Sequence, residues 1–223
     1  MSIQAVQEYV DLHFSDCIET ITDICQNENG QGNLNSDERI FNYDKISLRI
    51  LGNKHACSAD GLRFCRKHVE FIEFKTGFER RITRENWNPN LAICPTYKIE
   101  CQDYRKVFFE KSEKETKELF SSIRDKAIES YITWEKHILQ NISKDHVAIH
   151  FIAVVDCPPE DRIEDIQGEL SKKTPKNNSV VGIKHSLSRL QGRRDSEHHP
   201  YFYDCIHVYS FTEYQGILDS SRE

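Results

Sequence analysis

An α/β fold, with a mixed central sheet flanked by helices, follows from three features of the chain. His146 to Val155 is a nearly continuous apolar run bounded by Asp156 and Pro158-Pro159, the composition of a strand buried on both faces. Glu110–Gln140 carries Leu119, Ile123, Ala127, Tyr131, Trp134 and Ile138 at helical spacing, a long amphipathic helix. Short β-rich segments precede that helix, and further helix and strand patterns follow the apolar run, which is the alternation of a layered α/β protein.

Taken in order, residues 3–26 place Val6, Val10, Phe14, Ile18, Ile21 and Ile24 or Cys25 on one stripe of period near 3.6 and predict a single helix. Asn27 to Asp37 is polar and glycine-containing, hence a loop. Phe41 to Leu51 alternates at Ile46, Leu48 and Ile50 and reads as a strand. A hairpin occupies 56–75. Thr76 to Asp103 is irregular, with Trp87-Asn88-Pro89-Asn90 and Cys94-Pro95 as breakers. After the long helix and the buried strand come a helix at Arg162–Leu170, a loop at Thr174–Asn178, a helix at Val180–Leu190 and a polar loop to Pro200. A strand at Tyr201–Ser210 and a helix around Thr212–Leu218 close the chain. No internal repeat interrupts this order, so 1–223 reads as one domain, with a core over about 1–156 and a helix/strand extension over about 157–223.

Composition narrows the class. The chain has 223 residues, 38% of them hydrophobic and 30% charged, which suits a water-soluble domain with one sizeable core. No apolar run approaches the roughly 18–20 residues that span a bilayer, and the N-terminus lacks the basic and apolar segments of a signal peptide, so the expected location is the cytoplasm. Eight cysteines, none in a C-x-x-C, are then expected as free thiols acting as small buried hydrophobes, with no zinc bound. Cys57 and Cys65 in particular stand roughly 26 Å apart if extended. Net charge is −6, but between Lys54 and Arg84 eight Lys/Arg face four acids, and Lys184, Arg189, Arg193 and Arg194 form a second basic group. Local positive potential of this kind serves a phosphate backbone; the alternative is scattered solvated charge. Walker, G-x-S-x-G, G-x-G-x-x-G and H-E-x-x-H patterns are absent, which removes the sequence support for nucleotide-driven, serine-hydrolase, dinucleotide and zinc-protease chemistry.

The chemistry concentrates in the hairpin. Along Val69-Glu70-Phe71-Ile72-Glu73-Phe74-Lys75, strand alternation sets Phe71, Glu73 and Lys75 on one face and Glu70, Ile72 and Phe74 on the other. If Leu62–Cys65 pairs with His68–Phe71 around Arg66-Lys67, Leu62 opposes Phe71 and, two residues further out, Asp60 opposes Glu73. A three- or five-residue loop shifts the register by one. Directly opposed Cβ atoms lie roughly 4.5–5.5 Å apart, where like charges repel. A divalent cation relieves that repulsion, and oxygen ligands favour Mg²⁺ or Mn²⁺ over zinc.

Asp60, followed by Glu73-Phe74-Lys75 at the end of an apolar strand, resembles the signature of the PD-(D/E)xK nuclease superfamily, with Ala59 where a proline is usual. The direct match spans about 20 residues. The resemblance implies a restriction-endonuclease-like core, and a metal held by Asp60, Glu73 and the Phe74 carbonyl, with Lys75 positioning the attacking water. It also implies an acid from the first helix, for which Glu19 is preferred over Glu8, with Glu28 and Glu38 in the loop beyond. Lys126 on the long helix is the candidate for a phosphate contact, alongside Arg80 and Arg81 after the strand. The expected function is that of a Mg²⁺- or Mn²⁺-dependent endonuclease on DNA, with RNA as the other substrate, in a defence, mobile-element or repair setting. A protein partner that supplies targeting, or self-association, is compatible with so small a core. The alternative is a non-catalytic interaction or regulatory subunit on the same fold, in which Glu73 and Lys75 form an ordinary surface ion pair.

Overall fold

The computed structural model describes residues 3–29, 34–52, 57–78, 102–142, 147–156, 179–192 and 202–220. The first predicted helix is three elements. Helix α1 (Ile3–Phe14) buries Val6, Val10 and Phe14, a short strand β1 (Ile18–Thr20) follows a 3₁₀ turn, and α2 (Ile21–Asn29) buries Ile21, Ile24 and Cys25. The stripe that predicted one helix runs unbroken through β1 because Ile18 sits in phase with both neighbours. The next prediction is also corrected. Strand β2 is Arg39–Asn42, and Tyr43–Leu51 is helix α3 instead of a strand. Asn42 caps it by accepting from the Lys45 amide at 2.9 Å, and Gly52, at φ 57°, ends it. Ile46 and Ile50, four residues apart, fit both periods, but Tyr43, Ile46 and Ser47 are buried while Leu48 is 54% exposed, which is the helical pattern.

The hairpin has the predicted register. Strand β3 (Gly61–Phe64) pairs antiparallel with β4 (His68–Lys75), Gly61 opposite Ile72 and Leu62 opposite Phe71, around Arg66-Lys67. A Cβ on Gly61 would lie 2.7 Å from Ile40 Cδ1, so a larger residue there would have to displace the tip of the Ile40 side chain. The long helix α4 starts at Gln102, earlier than expected, runs to Trp134, and continues through a π turn (Glu135–Leu139) and a last helical turn to Ile142. It carries the chain from β4 to the parallel strand β5 (Ala148–Val155), a connection that parallel strands require. Helix α5 (Ser179–Leu187), strand β6 (Cys205–Ser210) and α6 (Phe211–Ser220) complete the fold. The readings at 162–170 and 174–178, and most of 76–103 and 191–200, lie outside the described residues.

The sheet order is β1-β2-β3-β4-β5-β6, antiparallel through β4 and parallel from β4 to β6. Helices cover both faces. Phe71, Phe151, Ala127, Trp134 and Ile183 lie in the core beneath α1, α3, α4 and α5, and Ile72, Phe74, Ile152, Ile24 and Tyr214 in the core beneath α2 and α6. Residues beyond 156 thus supply a sheet strand and part of the main core. No helix among the described residues is long and apolar enough to cross a membrane.

Candidate active site

Glu73 faces α4 because it alternates with Phe71 along β4, and Asp60 reaches the same side from the residue before β3. Both are buried, Asp60 at 1% and Glu73 at 0% relative exposure. One ammonium serves both: Lys126 Nζ lies 2.7 Å from Asp60 Oδ1 and 2.9 Å from Glu73 Oε2. The carboxylates therefore converge on one ammonium on the same side of the sheet, as the register requires. Asp60 Oδ2 accepts from the Phe74 amide at 2.6 Å, and the Asp60 carbonyl accepts from the Tyr43 amide at 2.9 Å, so both ends of the residue are anchored. Glu73 is less well served. Lys126 meets Oε2 as an ion pair out of hydrogen-bond alignment, and Oε1 has no hydrogen-bond partner among the described residues. Lys75 leaves the same face of β4 and donates to Ser122 Oγ at 3.2 Å.

The electrostatics follow from two acids sharing one close cation. Burial, then the charge of Asp60, pushes the Glu73 carboxyl well above the usual range, with Lys126 and Lys75 pulling back. Burial also raises Asp60, against Lys126 and the Phe74 amide, and Asp44 adds to the rise. Burial opposes the charge on Lys126, but Glu73 and Asp60 outweigh it and raise the ammonium.

Helix α4 builds the far wall. Ser122, Lys126, Glu129 and Ser130 recur at helical spacing on one face. Ser122 holds Lys75, Lys126 bridges the acids, Glu129 accepts from the Cys57 amide at 2.5 Å, and Ser130 Oγ accepts from the Ala59 amide at 2.7 Å. The Ser130 carbonyl also accepts from the buried Tyr43 hydroxyl at 3.0 Å. The segment leading into Asp60 is thereby fastened to α4. Of these four residues the sequence reading singled out Lys126 alone; the polar positions interleaved with buried Ile123 and Ala127 were the available signal. Asp44, in the first turn of α3, was also missed. It accepts from Ser58 Oγ and is an acid whose charge reaches Asp60.

Other candidates fall elsewhere. Glu19 lies on β1, not on the first helix, where its carboxylate accepts from Asn42 Nδ2 at 2.7 Å and pairs with Lys45. Glu8 is exposed on α1, and Glu38 faces Arg63 at 3.4 Å. The Lys126 ammonium is engaged by carboxylates instead of facing an open phosphate track. Arg80 and Arg81 lie outside the described residues. Within the first basic group, Arg63 is turned to Glu70, while Arg66 and Lys67 are exposed at the hairpin turn; Lys184 and Arg189 are exposed near α5. Comparison of the chain with protein-family models, curated proteins and solved structures finds no match.

Proposed function

We propose that the chain is a metal-dependent phosphodiesterase acting on nucleic acid, in the first instance an endonuclease on DNA, on a restriction-endonuclease-like core. The observation that carries this reading is the pair of buried carboxylates, Asp60 just before β3 and Glu73 on β4, brought to one ammonium, with a Glu73 oxygen that has no hydrogen-bond partner among the described residues. The antiparallel hairpin joined through a long helix to a parallel strand agrees with the element order that the motif implies.

The donor set fits a hard cation. Asp60 and Glu73 offer only oxygen, which suits Mg²⁺ or Mn²⁺, and the Phe74 carbonyl is the third ligand that the resemblance supplies. Such an ion, when bound, polarises the scissile phosphate and lowers the pKa of a bound water. The protein's own groups do the rest. Lys75 leaves the same strand face two residues after Glu73, within reach of water and phosphate, and offsets charge that builds in the transition state. Ser122 holds its ammonium in place. Lys126 offsets part of the charge of the two acids, which would be costly as uncompensated buried carboxylates.

Purified protein incubated with plasmid and with single-stranded DNA tests the reading. Cleavage with Mg²⁺ or Mn²⁺ and none with EDTA is expected; equal inactivity in all three overturns it for DNA, and an RNA substrate then tests the remaining class. The double ion pair of Lys126 favours a second reading, in which Asp60, Glu73 and Lys126 are a structural triad in a non-catalytic subunit. A thermal shift with Mg²⁺ that disappears in Asp60→Ala supports the nuclease, and its absence supports the triad.

A further inference from the structure

The opposite face of β4 carries a different set of ligands. His68 and Glu70 alternate onto that face, and the Arg66-Lys67 turn, closed by the Cys65 amide donating to the His68 carbonyl at 2.9 Å, folds Cys65 back beside them. One ligand atom each from Cys65, His68 and Glu70 lies within 4.8 Å of the other two. Glu70 is buried, and Cys65 and His68 are half-buried, so the group opens to solvent at the end of the hairpin.

Neighbouring side chains orient each member. Arg63, directly across from Glu70, reaches its Oε2 with Nε at 2.6 Å and Nη2 at 2.5 Å. That leaves Oε1 turned toward His68, whose Nε2 lies 2.8 Å away. His150, opposite Glu70 on β5, stacks on the His68 ring with centroids 3.8 Å apart at 18° and fixes its plane.

We propose that Cys65, His68 and Glu70 bind a thiophilic divalent cation, zinc, with a fourth position open to water. Sulfur, imidazole nitrogen and one carboxylate are a zinc donor set, unlike the oxygen-only pair around Lys126. With metal–ligand bonds of roughly 2.0–2.3 Å, tetrahedral ligands sit about 3.3–3.7 Å apart. The three atoms already lie within 4.8 Å of one another, and the 2.8 Å His68–Glu70 contact opens as the ion enters between them. Thiolate and carboxylate balance the two charges of the ion, and Arg63 keeps the second carboxylate oxygen, the supporting role that ligand carboxylates require. Searching the sequence for paired cysteines passed over this set, because it holds a single thiol. The ion clasps the turn that sets the β3–β4 register, and a one-residue slip there would move Glu73 to the other face.

Cobalt titration of the metal-stripped full chain, in excess Mg²⁺ to occupy oxygen-only sites, reads the site directly. A stoichiometric thiolate-to-cobalt charge-transfer band with tetrahedral visible absorption is expected, abolished in Cys65→Ser and in His68→Ala but retained in Cys57→Ser and Cys205→Ser. Zinc should also raise the melting temperature of the wild type by several degrees and leave that of Cys65→Ser unmoved, with circular dichroism confirming that the variant folds. Absence of the band in the wild type, or its persistence in folded Cys65→Ser, overturns the proposal. Neither result bears on nucleic-acid cleavage, which the Asp60 cleft serves separately.

Discussion

Glu70 and Glu73 lie three residues apart on β4, both buried, and their carboxyl groups are shifted in opposite directions. Burial alone would raise both. At Glu70 the Arg63 guanidinium, aided by His68, overcomes burial and brings the carboxyl below its usual value. At Glu73 burial and the Asp60 charge prevail, because the ammonium of Lys126 is divided between two acids. Depth of burial therefore does not set the direction of the shift. The supply of positive charge does: Glu70 has Arg63 at 2.5–2.6 Å, which Glu38 approaches only at 3.4 Å, and His68 beside it, whereas Asp60 and Glu73 divide the close ammonium of Lys126.

The largest expected contrast is catalytic. Glu73→Gln should abolish metal-dependent cleavage, and Lys75→Ala should lower its rate by about 10²–10³-fold, the scale of one lost transition-state donor. Metal affinity by calorimetry should stay nearly unchanged in Lys75→Ala and fall in Asp60→Ala. Cleavage by Lys75→Ala at the wild-type rate would remove the distinction between the two faces.

Stability should follow the same division. In metal-free protein, Lys126→Met strands two buried carboxylates and should cost about 3–5 kcal/mol by urea unfolding, with much of the loss recovered on adding Mg²⁺. Arg63→Met leaves Glu70 with His68 and should cost less, about 1.5–3 kcal/mol. Equal losses in the two variants would contradict the unequal charge supply.

The pH dependence has opposite signs at the two glutamates. The folded-state pKa of Glu70 is lowered, so its stabilisation is full above the ordinary 4.5 and is lost as pH falls through the folded value. For Glu73 the folded value is raised, so the protein loses stability as pH rises from 4.5 through that value. Unfolding of metal-free Glu73→Gln across pH 4–8 should therefore show a flatter decline on the alkaline side than the wild type. A steeper decline would reverse the assignment. The smallest effect belongs to the α4 surface, where Lys114 and Glu118 pair at 3.8 Å with both side chains well exposed. Glu118→Gln should change stability by less than about 0.5 kcal/mol, the baseline against which the buried pairs are measured.

The hairpin was legible because its information is local: alternation assigns the faces, and loop length sets the register that places Asp60 opposite Glu73. The buried run at β5 and the amphipathic stripe of α4 were legible for the same reason. Boundaries failed where one apolar pattern fits two periods, as at Ile46 and Ile50, and where a stripe passes through a three-residue strand at Ile18–Thr20. The cleft was read only in part. Asp60, Glu73 and Lys75 share one hairpin, but Asp44, Ser122, Glu129 and Ser130 join them through contacts that no local pattern encodes, and Lys126 was read as a phosphate contact before its partners were visible. Glu19 was assigned from the expected position of a helix that ends before it.

The most direct measurement of the central claim is Mg²⁺ binding followed by calorimetry on the wild type, Asp60→Ala and Lys75→Ala, with each titrated sample then assayed on plasmid DNA. A divalent cation held by Asp60 and Glu73 and served by Lys75 predicts binding and cleavage in the wild type, binding with cleavage slowed about 10²–10³-fold in Lys75→Ala, and neither in Asp60→Ala. Mg²⁺ binding that survives in Asp60→Ala, or cleavage at the wild-type rate in Lys75→Ala, would contradict it.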